Sequence, residues 1–210
     1  MKKLLLTLLF SFFLLISHSV FAGDISDFEI EGISIGDSLL DYMTEDEILK
    51  EIELSLSLNE YYYLKEPNKY VEVYLYKNFP NYDFLTFFVK NNPSNKYITE
   101  KDKKYEVLSI RGIIPYNEDF NTCIAKRNEI VEGLSNIFPN ADKLEEFIIH
   151  PHDPSGDSFI EAINFKFDLG SAAIANCTNY EETFRINNNL VEGLSISIKS
   201  KEIVNWITDY

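Results

Sequence analysis

Histidine, arginine, glycine and proline are all scarce in this chain, and each scarcity narrows what it can do. Three histidines serve 210 residues, and one of them, His18, lies in an N-terminal stretch expected to be removed. His150 and His152 are then the only imidazoles left, so any histidine-dependent mechanism has to use that one loop. Glycine (8) and proline (7) are thinly spread, and no Gly/Ser-rich or Pro-rich linker divides the chain after residue 22. It reads as one domain, 23–210, or as two subdomains, 23–116 and 117–210, sharing a sheet. Basic residues are outnumbered, 19 Lys and Arg against 34 Asp and Glu, and arginine occurs only as Arg111, Arg127 and Arg185.

What is present begins with an address. Lys2 and Lys3 precede an apolar run from Leu4 to Ile16 broken only by Thr7 and Ser11, and Val20-Phe21-Ala22 offers a signal-peptidase site. That pattern is a secretory leader, residues 1–22, cut after Ala22. The run is short for a bilayer span and acidic sequence follows at once, so no membrane span is expected after cleavage. No cysteine stands at the cleavage site, which excludes a lipoprotein signal. The remaining 188 residues hold 17 basic and 34 acidic side chains, a formal charge of −17. Such a field repels phosphate backbones and anionic lipid, so nucleic acid is not an expected partner. An unknown protein or small-molecule ligand is, in a periplasmic or secreted setting.

Both cysteines, Cys123 and Cys177, lie beyond the leader. In an oxidising compartment an even pair reads as one disulfide. Hydrophobic residues make up 45% and aromatics 14% of the chain, enough for a packed core.

Hydrophobic periodicity places the elements. Phe28 to Ile35 alternates as a short strand. Thr44 and Glu47 form a capping box ahead of a helix with Ile48, Leu49, Ile52 and Leu56 on one face. Residues 70–77, 84–90 and 105–114 are aromatic or β-branched and read as a three-stranded meander. A second helix carries Phe120, Cys123, Ile124, Ile130, Val131, Leu134, Ile137 and Phe138 at helical spacing, with Asn117 or Asp119 as cap and Pro139 as stop. A loop at 139–157 is followed by two hairpins, 158–168 with 171–178 and 182–187 with 190–198, and a closing helix over 203–207. Strand, helix, three strands, helix, four strands does not alternate β with α. The expected fold class is therefore α+β, with antiparallel sheet, two main helices and one disulfide.

Three constellations bear on chemistry. Gly36-Asp37-Ser38-Leu39 resembles the nucleophile block of GDSL-type esterases and lipases, with Asp41 near a second acid position of that block. The resemblance implies Ser38 as nucleophile, with a histidine base and oxyanion donors. The family's Asp-x-x-His block is missing, since Phe147 and Ile149 stand three before His150 and His152, and so is its Gly-x-Asn-Asp block. A turn role for Asp37 and Ser38 is the structural counterpart. Second, His150-Pro-His152-Asp153-Pro-Ser-Gly-Asp157 holds imidazoles and carboxylates that suit a divalent ion, within what is first of all an exposed turn. Third, Tyr61, Tyr62, Tyr63, Tyr70, Tyr74, Tyr76 and Tyr82 cover a sheet face or form a carbohydrate or peptide platform.

The strand, glycine-led turn and capped helix from Phe28 to Ile52 resemble the opening of uncharacterised exported α+β proteins of marine alphaproteobacteria and, more loosely, of β-lactamase-inhibitor-protein-like domains. The resemblance implies a binding or envelope-associated role and transfers no site residues. The leading expectation is therefore an exported, non-enzymatic binding domain without a cofactor. A serine esterase using Ser38 is one alternative. A metal-binding protein using His150, His152, Asp153 and Asp157 is the other.

Overall fold

The structure is a computed structural model and describes residues 25, 28–116 and 119–209. The expected leader, and Asn117 as a helix cap, lie outside the described residues.

The chain opens with a small hairpin, β1 (Glu29–Ile30) and β2 (Ile33–Ser34), turned through Glu31 and Gly32, both at positive φ. The single strand expected over 28–35 is thus folded back on itself, because Gly32 supplies the left-handed backbone that the turn requires. Helix α1 (Glu45–Leu58) starts as its sequence predicts. Thr44 accepts from the Glu47 N–H while the Glu47 carboxylate accepts from the Thr44 N–H, and Glu45, Asp46 and Glu47 suit the positive end of the helix. Strands β3 (Tyr70–Leu75), β4 (Phe84–Lys90) and β5 (Ser109–Pro115) form the expected meander. Helix α2 (Phe120–Ile137) follows, capped by Asp119, and buries Cys123, Arg127, Val131 and Leu134.

The second half then departs from the sequence reading twice. Residues 142–149, read as loop, form strand β6 (Asp142–Ile149), paired along its whole length with β7 (Phe159–Lys166). Every residue of β6 is exposed, so neither face had to be apolar and no alternation marks it. After β8 (Ala172–Asn179), residues 182–188 form helix α3 (Glu182–Asn188) rather than a hairpin strand. Glu181 caps it by accepting from the Phe184 N–H at 2.7 Å, and Asn189 ends it in the left-handed region. Local capping overrode the β propensity of Thr183, Phe184 and Ile186. Strand β9 (Gly193–Lys199) and helix α4 (Lys201–Thr208) complete the chain.

The seven longer strands make one antiparallel sheet in the order β3-β4-β5-β9-β8-β7-β6. Each half is a helix followed by an antiparallel meander, and the halves join through their last strands, β5 and β9. The α+β class and antiparallel architecture are those expected. Both long helices lie on one face of the sheet, where Val71, Val73, Leu85, Phe87, Ile110, Phe165, Ala175, Leu194 and Ile198 form a continuous apolar core with Ile48 and Val131. The Cys123–Cys177 disulfide ties α2 to β8 within that core. Closing the 54-residue span stabilises the fold by about 4 kcal/mol on a chain-entropy argument. Among the described residues no helix is long and apolar enough to cross a membrane.

Candidate functional site

Ser38 is 2% exposed and caps the 3-10 turn Leu39–Asp41. Its hydroxyl donates to the Lys104 carbonyl at 2.7 Å and accepts from the Leu40 N–H at 3.3 Å. Asp37 is likewise used locally, accepting from the Ser34 N–H and the Tyr42 hydroxyl, each at 2.9 Å. Both sequence-flagged residues thus hold the turn between β2 and α1. Among the described residues no histidine is a Ser38 partner, and a serine without a positioned base is only an alcohol.

In the 150–157 loop, Asp153 is consumed by its own turn. Its carboxylate accepts from the Ser155 and Ser158 N–H groups and from the Ser155 hydroxyl, at 2.7–2.9 Å. The Ser158 and Ser155 bonds hold it far below the usual carboxylate range. His150 and His152 stand with ring centroids 5.9 Å apart. The imidazole of His150 packs against Tyr180 (5.3 Å) and Phe184 (5.4 Å), and its Nδ1 is buried without a hydrogen-bond partner. Asp157 is exposed. Among the described residues no three His, Cys, Asp or Glu side chains converge on a metal-ion position.

The arrangement that sequence reasoning missed lies on the second face of the sheet, opposite α1 and α2. Strand registers set one row of that face across all seven strands: Tyr74, Thr86, Arg111, Ser197, Ile174, Asn164 and Leu144. In the flanking row Lys199 stands between Ser109 and Ala172, and on the other side Asn176 stands between Ser195 and Ala162. A face so polar is ordinarily left to water, yet Glu72, Thr86, Ser109, Asn164 and Ser197 are all buried.

Two covers account for the burial. Helix α4 seats Ile203 and Trp206 on Tyr70, Leu108 and Leu64. The Trp206 indole donates to the Glu66 carbonyl at 2.8 Å and packs on Tyr61, pinning the 59–66 segment over the sheet. From the far side come His150, Tyr180 and the 150–157 loop. Tyr63 and His152 meet with ring centroids 6.3 Å apart. Their segments adjoin β3 and β6, the two edge strands, which a flat seven-stranded sheet would hold roughly 29 Å apart. The segments that flank the two edge strands therefore meet on the second face.

At the centre sits an ion pair. Arg111 Nη2 donates to Glu72 Oε1 at 2.8 Å, and Arg111 Nε donates to the Thr86 hydroxyl at 3.2 Å. The Tyr61 hydroxyl donates to Glu72 Oε2 at 3.1 Å. Glu72 is 4% exposed in its side chain and both its oxygens are occupied, whereas Arg111 keeps 38% exposure. Burial is the largest single influence and works against the guanidinium charge, but the Glu72 carboxylate and the Tyr61, Tyr74 and Tyr180 hydroxyls together outweigh it, and the pKa lies above its ordinary value. Burial pushes the Lys199 ammonium down to about 8, helped by the Arg111 charge and opposed by Glu72. Lys199 has no carboxylate partner among the described residues. Burial raises the Tyr61, Tyr74 and Tyr180 hydroxyls, so these remain donors at neutral pH. Asn176 Oδ1 is buried with no partner among the described residues.

Sequence reasoning passed over Arg111 because it sits singly in an apolar strand pattern. The available signal was its rarity: all three arginines reach glutamates, Arg111 at 2.8 Å, Arg127 at 3.4 Å and Arg185 at 3.6 Å. Only the first lies in the row of polar side chains. A second depression, between α4 and residues 66–70, carries Glu66, Glu202 and Asp209, but each already pairs with a lysine. No protein-family model, curated protein or solved structure matches this chain.

Proposed function

We propose that this chain is an exported, non-enzymatic binding domain, periplasmic or secreted, that holds a small ligand on the second face of its sheet. One observation carries the reading: a sheet face on which buried polar side chains surround half-buried Arg111, Lys199 and Asn176, with hydrogen-bonding capacity left over at those three among the described residues. Desolvating such groups opposes folding unless they are fully paired, so a fold that retains them there keeps them for another use. The leader pattern and the disulfide support export. A small molecule is favoured over nucleic acid by the overall negative charge.

The esterase alternative fares less well, because the Ser38 hydroxyl is buried and bonded to backbone. Two assays on the mature protein test the reading together. A fluorophosphonate probe is expected to leave Ser38 unlabelled, and p-nitrophenyl acyl esters are expected to hydrolyse at the buffer rate. In NMR titrations with a mixed fragment set, amide shifts are expected at Arg111, Asn176, Tyr180 and Ser197. Labelling that disappears in Ser38→Ala, or fragments that cluster away from the second face, would overturn it.

A further inference from the structure

The hydrogen-bonding capacity left on the second face is lopsided, and the lopsidedness selects a ligand. The acceptors of Glu72 are spent on Tyr61 and Arg111. The donors are not. Arg111 uses Nε on Thr86 and Nη2 on Glu72, which leaves Nη1 without a protein partner among the described residues. The Lys199 Nζ has none either, and Lys199 stands two positions along β9 from Ser197, which pairs with Arg111 on the adjacent strand. Two neighbouring cations share one paired carboxylate, in a protein whose formal charge is −15. On the same face, one buried acceptor, Asn176 Oδ1, waits for a donor. Ile174 and Ile113 supply apolar area between these polar points, on the registers that place Arg111 opposite Ser197 and Asn176 opposite Ser195, and Tyr74 lies beyond Arg111 on the edge strand. Tyr180 borders it from the roof, close enough to Arg111 for the charge to act on its hydroxyl.

We infer that the second face binds a small organic carboxylate that carries a hydroxyl or amino donor, its carboxylate seated on Arg111 Nη1 and Lys199 and its donor directed to Asn176 Oδ1. This deepens the binding reading given above and rests on it. An anion restores charge balance between the two cations, which a neutral ligand cannot do. The charge-assisted bonds it forms are the strong ones in a partly desolvated site. A hydroxyl or amine satisfies Asn176 Oδ1, an acceptor left without a partner among the described residues.

The probes are 4-hydroxybenzoate, its neutral isostere 4-hydroxybenzamide, and benzoate, titrated into the mature protein with amide shifts as readout. 4-Hydroxybenzoate is expected to shift Arg111, Asn176, Ser197 and Lys199 and to bind at least about tenfold more tightly than the amide, with benzoate between them. Lys199→Met breaks no protein pairing and is expected to abolish the preference for the acid, whereas Lys199→Arg retains it. Asn176→Leu is expected to bring 4-hydroxybenzoate down to benzoate. Equal binding of acid and amide at the same residues would overturn the carboxylate assignment while leaving the site in place. If no probe shifts the second face at millimolar concentration, the location fails, and the binding reading with it.

Discussion

His150 is placed where a neutral imidazole is tolerated and a charged one is not. Its ring is enclosed by Tyr180, Phe184 and His152, and Nδ1 has no acceptor to receive a proton's hydrogen bond. Burial, and then the His152 charge, hold its pKa below the ordinary 6.5, with Asp153 opposing. The folded protein therefore takes up this proton less readily than the unfolded chain. Stability that is fully present above 6.5 declines as pH falls through the lowered folded value. The depressed carboxylate of Asp153 has the same sign, but its loss begins only in more acid solution, below 3.8. Urea unfolding of the mature protein at a series of pH values is expected to show a decline in two stages. In His150→Phe the first stage should vanish, at unchanged or higher stability above neutral pH. An unaltered first stage in that variant would mean that another group carries it. The sequence put His150 and His152 in one loop and did not show the aromatic roof around them, because Tyr63, Tyr180 and Phe184 arrive from segments remote in the chain.

Elements legible in the sequence are those whose ends carry side-chain caps or whose faces are sorted by burial. Thr44 and Glu47 fix the start of α1, and the apolar stripe of α2 follows from its packing on β8 and β9. Strand β6 has neither mark. It is the last strand of the sheet and exposed along its whole length, with Leu144, Phe147, Ile148 and Ile149 40–62% exposed and only a stacking contact between Phe147 and Phe159 at 5.2 Å. The other edge is managed differently: at β3, the Ser55 hydroxyl of α1 accepts from the Glu72 N–H at 3.1 Å. Polar substitution on β6 is therefore expected to be almost free. Phe147→Lys, which gives up the stack on Phe159, should change unfolding free energy by less than about 1 kcal/mol and lower the tendency to aggregate on heating. A loss of about 2 kcal/mol or more in urea unfolding would mean that Phe147 is covered in the folded protein, not bare. The α3 segment was hidden for the opposite reason: its residues prefer strand, and only the Glu181 cap and the left-handed Asn189 turn it into a helix.

At the scale of the whole molecule, the sheet has two faces with different purposes. One face is a conventional core, closed by two helices and the Cys123–Cys177 bridge. Its α+β class and antiparallel order were legible because alternation, helix grammar and element order all point the same way. The other face was not legible, because its row is assembled from seven strands, five of which contribute polar side chains, and exists only once the register is set. The central claim is that Arg111 and Glu72 are held there for a ligand and contribute little to folding. Arg111→Met alone leaves the Glu72 carboxylate buried and unpaired, and is expected to lose about 2 kcal/mol or more. Adding Glu72→Gln keeps an acceptor for Tyr61 and removes the stranded charge. The decisive measurement is urea unfolding of the wild type, Arg111→Met and the double variant Glu72→Gln/Arg111→Met side by side. The account predicts that the double variant returns to within about 1 kcal/mol of the wild type. A double variant as unstable as the single one would contradict it, since the ion pair would then be a fastening of the fold.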